Sequence, residues 1–267
     1  MSLLLNALLV LITVGFLAFA GVAVYALILL TRRPPLALYE ARKSQPDYLR
    51  LDQLPARQIE LVVRQEDRYF YTHPGYDIMS IRRAWRTNHQ EGQIVLGAST
   101  ITQQLAKNLY LRFTKSYLRK LTELLIALRL ERTLGKDRIL ELYVNIIYFG
   151  NGTYGISDAA RFYFGRPARD LTLNQMVMLS IIPSAPTMGN PIQHPEVFEH
   201  RRNEHLKCFT EIDPPLLSRA EVEAILAHGA ACLDPELRRP DAFTRSYPRT
   251  IPMINERFGP DAAQKGA

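Results

Sequence analysis

Charge is what the first stretch of this chain lacks. Between Leu3 and Leu30 no Asp, Glu, Lys or Arg occurs, and Asn6 is the only strongly polar residue. As a helix rising 1.5 Å per residue, such a run reaches about 40 Å and covers a hydrocarbon core of about 30 Å. It is too long for the apolar part of a cleaved signal peptide, and a buried helix rarely goes so far without a charge. The residues therefore predict a transmembrane helix over 3–31. Cysteine is scarce as well. The only two, Cys208 and Cys232, have neither CxxC spacing nor grouped histidines, which removes the case for zinc or dithiol redox chemistry and leaves their pairing open. Internal repeats, low-complexity tracts and convincing strand runs are also missing, so the chain reads as mainly α. With 47% apolar residues it can fold around a real core.

Basic residues outnumber acidic ones, 33 to 26, for a net charge of +7. That balance suits an anionic partner, whether nucleic acid, a phospholipid surface or a phosphorylated substrate, and does not choose among them. Arg32 and Arg33 directly follow the apolar run. By the positive-inside rule they favour a cytoplasmic C-terminal domain.

Residues 32–54 are polar and punctuated by Pro34, Pro35 and Pro46, which predicts a tether, with a folded domain over 55–230 and a C-terminal tail of unknown role over 231–267. Within the domain the pattern is helical. A first helix is expected from Ala56 to Tyr69, and Thr100 with Gln103 forms a capping box for a second. A third runs from Tyr117 to Leu134 with Leu118, Leu121, Leu125 and Leu128 as its apolar stripe, the opposite face being polar. Asp137 is expected to cap a fourth, with Ile139, Leu140, Tyr143 and Ile147 turned inward, before Gly150, Gly152 and Gly155 break the chain. Thr172 with Gln175 opens another that Pro183 ends, and further helices are expected at 195–209 and 219–228.

Three segments carry groups suited to chemistry. Glu66 and Asp67 form an acid pair at a helix end beside Phe70 and His73. A carboxylate in a partly apolar cleft can have its pKa raised towards that of a working base, although a solvated acid pair is the plainer reading of this segment alone. Next, Ser99, Thr100, Thr102, Gln103, Gln104, Lys107 and Asn108 gather hydroxyl, amide and ammonium donors at a helix start. Such a start, with a lysine one turn on, can seat a phosphate. It is no P-loop, because GxxxxGK[ST] is missing. Finally, Arg119, Lys120 and Glu123 put two cations and an acid on one helix, where Glu123, Ala127 and Glu131 share a face. Two separated acids and a Lys107, Arg119, Lys120 cluster suit transfer from a sugar diphosphate: one acid deprotonates the attacking hydroxyl and the cations hold the departing diphosphate.

The runs EDRYFYTHPG, GASTITQQLAKN, RKLTELLIALRLE and KDRILELYVNIIYFGNGTYGI resemble, in order and spacing, the motifs of glycosyltransferase family 51, the transglycosylase domain of class A penicillin-binding proteins and their monofunctional relatives. The later LTLNQMVMLSIIPSAP and HPEVFEHRRN are similar more loosely, and Met176, Val177 and Met178 stand where such domains are usually alanine-rich. The resemblance implies a lysozyme-like lobe joined to a small membrane-dipping lobe. It implies Glu66 as base on the acceptor's 4-hydroxyl, and Glu123 assisting the departing diphosphate, with a divalent cation such as Mg or Mn as an optional aid. It places Ser99, Thr102, Gln103, Gln104, Lys107, Asn108, Arg119 and Lys120 against substrate, while Asp67, Phe70 and His73 hold the cleft.

The implied partners are lipid II, the growing lipid-linked strand, the membrane and other wall-building proteins, without nucleic acid. The implied location is the bacterial inner membrane with the catalytic domain outside, against the reading of Arg32 and Arg33. The stretch beyond the resemblance holds no SxxK tetrad, so a monofunctional enzyme is expected. Two rivals remain: a lysozyme-like glycan hydrolase or lytic transglycosylase, since paired carboxylates also suit glycoside cleavage, and a catalytically silent membrane scaffold. The cationic helix start and the apolar span weigh against the first, because a neutral glycan needs no diphosphate clamp.

Overall fold

A computed structural model describes residues 2–93, 97–111 and 117–228. Among them are eleven α-helices, three short 3-10 turns and one isolated β-bridge between Tyr148 and Tyr154, so the fold is mainly α. The tail over 231–267, with Cys232, lies outside the described residues, as do Ile94, Val95 and Leu96.

Helix α1 spans Ser2–Arg32 and is long and apolar enough to cross a membrane. Its outer turns leave leucines such as Leu4 and Leu11 exposed, as lipid-facing positions require. Near its end Val22 and Ala26 become buried, where α1 packs on α6 (Tyr117–Leu134). The Tyr110 hydroxyl donates to the Arg33 carbonyl at 2.8 Å, fixing the exit of the span to the domain.

Residues 32–54 are not a tether. Pro35 occupies the first turn of a helix, α2 (Pro35–Lys43), where its missing N–H costs nothing. Leu38, Tyr39 and Arg42 of α2 are buried. One carboxylate on α7 (Lys136–Ile146) gathers the segment: Glu141 Oε1 accepts from Tyr39 Oη at 2.8 Å and from Tyr48 Oη, and its Oε2 accepts from the Leu51 amide at 3.1 Å. Arg42 donates to both Asp47 oxygens, at 3.0 and 2.8 Å, and to the Asn145 carbonyl at 3.1 Å. Asn145 in turn pairs its side-chain amide with the backbone of Leu49 at 2.9 and 2.7 Å. Pro34 and Pro35, which read as punctuation, start a helix whose Leu38 and Tyr39 are buried in the core.

Helix α3 (Ala56–Glu66) stops at Asp67, earlier than its periodicity predicts, and lies on α9 (Leu173–Ile181), where the bulky Met176, Val177 and Met178 are all buried. Helix α4 (Ile78–Gln90) is capped by Asp77, whose Oδ1 accepts from the Met79 and Ser80 amides at 2.9 and 3.1 Å. Helix α5 (Ile101–Tyr110) packs on both α6 and α7 at the centre of the fold and carries the expected Thr100–Gln103 box. Gly135, not Asp137, is the residue that precedes α7. Helix α8 (Ile156–Phe164) follows the glycine break, and α9 carries the Thr172–Gln175 box. Helices α10 (Pro195–Glu211) and α11 (Arg219–His228) close the domain.

The stripe expected on α6 is corrected too. Leu118 is exposed, Leu121, Leu125 and Leu128 do not form its buried face, and the inward face is Thr122, Glu123, Ile126, Ala127, Leu130 and Leu134. A helix packed on several sides has no simple moment, and here the face with the acids is the inner one.

Glu141→Ala leaves two tyrosine hydroxyls and one amide without their acceptor, at about 1–3 kcal/mol for each buried donor left unmade. The expected outcome is a lowered thermal midpoint in detergent and new protease cuts within 44–54; unchanged cutting would show that segment to be held by apolar packing alone.

Candidate active site

The site grows from the end of α3. Glu66 is its last residue and Asp67 its C-cap. The two neighbouring carboxylates have opposite circumstances. Asp67 is fully engaged: both oxygens lie 2.9 Å from His73 Nε2, and Oδ2 also accepts from the Ile101 amide, the first of α5, at 3.0 Å. His73 Nδ1 accepts from the Gly75 amide at 3.0 Å, so the ring proton sits on Nε2 and points at Asp67. Thr100 completes the knot by donating from Oγ1 to the Gly75 carbonyl at 2.7 Å while capping the Gln103 amide at 3.1 Å. Gly75 has φ +105, and a Cβ there would lie 2.9 Å from Glu131 Cγ and 3.4 Å from the Ala127 carbonyl oxygen. The space left by the small Ala127 is thus filled by this backbone turn.

Glu66, by contrast, accepts a hydrogen bond from Gln104 Nε2 at 2.8 Å on Oε2, while its buried Oε1 has no partner among the described residues. Burial raises its pKa above the ordinary carboxylate value; the Gln104 hydrogen bond and the Lys107 charge oppose that, Asp67 adds to it, and Arg201 on α10 opposes it weakly. This is the environment of a base rather than of a structural ion. Gln104 Oε1 accepts from Tyr143 Oη at 3.2 Å, so α3, α5 and α7 meet in one chain of hydrogen bonds.

The second acid lies on the inward face of α6. Glu123 is buried and receives Arg119 Nη1 at 2.8 Å and Lys120 Nζ, which also donates to Ser99 Oγ at 2.9 Å. Lys107 feels the charge of both acids. Burial lowers its pKa, Glu123 raises it, Arg119 and Lys120 lower it, and Glu66 raises it. Three cations and Glu66 therefore share one field, with Glu123 holding the cations in place.

The structure separates the remaining expected residues into those facing this field and those beneath it. Ser99, Gln104, Lys107, Arg119 and Lys120 belong to the first group. Thr102, Gln103, Phe70 and Asn108 are buried. Thr102 Oγ1 donates to Glu131 at 2.5 Å, Gln103 Oε1 accepts from the Thr100 amide at 3.1 Å, and Phe70 lies under Lys136 Nζ, 4.5 Å from its ring centre. These three side chains are spent on the fold. Among the described residues no three His, Cys, Asp or Glu side chains group together, and both Glu123 oxygens are paired with Arg119 and Lys120. Two further residues, Tyr143 and Arg201, reach Glu66. Tyr143 reads as an ordinary inward residue of an amphipathic helix, and Arg201 is one basic residue in a charged run, so neither carries a distinguishing signal.

A raised folded-state pKa means that the native protein holds its Glu66 proton to higher pH than the unfolded chain does. Stability contributed by this group is thus complete below the unfolded carboxylate pKa and is lost as pH rises through the folded one. Glu66→Gln is expected to melt higher than the native protein at neutral pH, with the gap closing on acidification below about pH 4. Asp67→Asn is expected to melt lower at neutral pH by about 2–3 kcal/mol of lost charge-assisted bonding. Equal melting curves for the native protein and the Glu66→Gln variant at both pH values would contradict the buried, charge-costly placement of Glu66.

The sequence model of the family described as Transglycosylase matches residues 35–210. A Cupriavidus necator protein named as a transglycosylase is 40% identical over 219 residues, covering 82% of this chain and 93% of that protein. Penicillin-binding protein 4 of Bacillus subtilis is 37% identical over 207 residues, and penicillin-binding protein 1A of Aquifex aeolicus 45% identical over 164. These matches cover 78% and 61% of this chain but only 32% and 23% of those proteins, so the chain spans a third or less of either. The matched region starts at α2, which agrees with the packing of that helix on α7, and it contains Glu66, the Lys107 cluster, Glu123 and Arg201 alike. The chain therefore belongs to the transglycosylase family, glycosyltransferase family 51.

Proposed function

We propose that this chain polymerises lipid II: the lipid diphosphate of the growing strand is the donor, a second lipid-linked disaccharide the acceptor, and a β-1,4 bond forms with inversion. The observation that carries the reading is the pairing of a buried carboxylate of raised pKa, Glu66, with a field of three cations organised by Glu123. Glu66 takes the proton from the acceptor's 4-hydroxyl as that oxygen attacks the donor's anomeric carbon. The bond from that carbon to the diphosphate breaks, and its electron pair leaves on the diphosphate. Lys107, Arg119 and Lys120 face the charge that develops there, in a site of reduced dielectric. Glu123 keeps those cations in register before substrate arrives. A hydrolase would need none of them for a neutral glycan leaving group.

In a polymerisation assay with purified protein and lipid II, Glu66→Gln is expected to abolish strand growth, because the amide cannot accept a proton. Lys107→Ala and Arg119→Ala are each expected to lower turnover by about 100-fold or more, the scale of losing one preorganised donor. Arg119→Lys restores only part, since the planar fork is gone. Normal turnover in both alanine variants would reduce the cluster to a solvated face, and release of short reducing sugars from preformed glycan would favour the hydrolase.

Membrane access supports the same reading. Helix α4 exposes Ile78, Met79, Ile81 and Trp85 beside Arg82, Arg83 and Arg86, with Trp85 stacked on His89 at 5.6 Å. That mixture suits a helix lying at the headgroup level, with the catalytic domain on the outer face of the membrane. A polyprenyl tail leaves the bilayer only at about 0.8 kcal/mol per methylene exposed, so the enzyme must reach the lipid. With α1 deleted, the domain is expected to sediment with anionic vesicles, and Ile78→Ser, Met79→Ser, Trp85→Ser together to abolish that. Equal sedimentation by a folded triple variant would leave α1 as the sole membrane contact.

A further inference from the structure

Tyr143 is a buried hydroxyl that the transfer chemistry leaves unused. It sits in the last turn of α7, with its side chain fully covered, and its Oη donates to Gln104 Oε1 at 3.2 Å. The other end of the same carboxamide donates from Nε2 to Glu66 Oε2 at 2.8 Å. A carboxamide is nearly symmetric in shape, and its two ends differ only in what they can bond. Facing a carboxylate with its oxygen, Gln104 would set two acceptors against each other.

We propose that Tyr143 is a positioning residue for Glu66: it pins the Gln104 carboxamide so that the N–H end always faces the carboxylate. The inference rests on Glu66 being the base. A phenol suits the task because its hydroxyl donates to Gln104 Oε1, and this one stays protonated: burial first, then the negative charges of Glu66 and Asp67, and last its direct side-chain interaction with Glu66, push its pKa well above the ordinary phenol value. The pin is therefore present at every working pH. Its effect on Glu66 is to stabilise the ionised form, since a hydrogen bond to the charged form favours it. Gln104 holds the base part-way down from the pKa that burial alone would impose, and Tyr143 keeps Gln104 doing so.

The groups that bear on Glu66 are Asp67 at the end of its own helix, Gln104 and Lys107 from α5, Tyr143 from α7 and Arg201 from α10. Tyr143→Phe changes none of their charges. It removes one hydroxyl and keeps the ring that fills the core, so a shift in the titration of activity would be read against an unaltered charge set.

The test uses the full-length protein in detergent and the pH dependence of kcat/KM for lipid II polymerisation, with the thermal midpoint of each variant recorded. The native acid limb reports ionisation of the base, and loss of all strand growth in Glu66→Gln confirms that the limb belongs to the proposed reaction. Tyr143→Phe is expected to move that limb upward by about half to one pH unit, with the rate at its plateau little changed. Gln104→Met removes the carboxamide and is expected to move the limb at least as far. The double variant is expected to match Gln104→Met alone, since on this proposal the effect of Tyr143 on Glu66 passes through the carboxamide. A limb that stays in place in a folded Tyr143→Phe protein overturns the proposal. So does an equal further shift in the Gln104→Met background, which would mean that the phenol acts on Glu66 directly. If Glu66→Gln still polymerises, the base assignment itself is lost, and that outcome is distinct from both.

Discussion

The carboxylate of Asp67 joins parts of the chain that would otherwise have no reason to meet. It takes the Nε2 proton of His73, six residues on, and the first amide of α5, thirty-four residues on. An aspartate at a helix N-terminus is favoured by the unpaired amides and by the helix dipole, and this one comes from the end of another helix. The end of α3 and the start of α5 are thereby held at hydrogen-bond distance. The placement of Glu66 against Gln104 and Lys107 depends on that distance, because Glu66 is covalently next to Asp67, and Gln104 and Lys107 lie one to two turns into α5. The Thr100 hydroxyl and the Gly75 carbonyl make a second tie across the same gap, so the junction is over-determined rather than hinged.

This arrangement divides labour between adjacent acids. Asp67 is satisfied on both oxygens and ties the fold together; Glu66 is left with one satisfied oxygen and one buried orphan. An orphan acceptor is costly, and the cost is what makes the carboxylate willing to take a proton. Full satisfaction would have produced a more stable helix end and a weaker base. On the other side of the cleft the logic reverses. Glu123 is satisfied by two cations, so its buried charge is compensated, and its work is to keep Arg119 and Lys120 from repelling each other and Lys107 out of position.

How much of this was legible depended on whether the signal was local. The boxes Thr100–Gln103 and Thr172–Gln175 could be read directly, because a cap is a contact across three residues. The nature of the acids and cations could be read too, from residue type and motif. What could not be read was direction. Thr102 and Gln103 sit in sequence among residues that face Glu66 and the cations, yet a helix turns each residue by about 100° from the last, so their side chains bond to Glu131 and Thr100 instead. The segment 35–54 looked like a tether because its partners, Glu141 and Asn145, lie some ninety to one hundred residues away and leave no trace in local composition. Tyr143 and Arg201 were invisible as contributors for the same reason.

The misread stripe of α6 shows what a helix with several neighbours does to periodicity. Its partly covered leucines and its buried acid are both accounted for once α1, α2, α5 and α7 are all seen to pack on it. Two of those neighbours matter most for function. Helix α5 brings Lys107 towards Glu123, and α1, emerging from the apolar span, buries Val22 and Ala26 where it meets α6. The helix that presents the cationic field is thus also the one on which the span rests, and Tyr110 at the end of α5 grips the carbonyl of Arg33 just past that span. On the proposed function, a diphosphate attached to a lipid would enter from the bilayer surface at a height fixed by its tail. A cation cluster built partly on the helix that contacts the span is fixed relative to that span by the packing itself, which is the placement such a substrate would require.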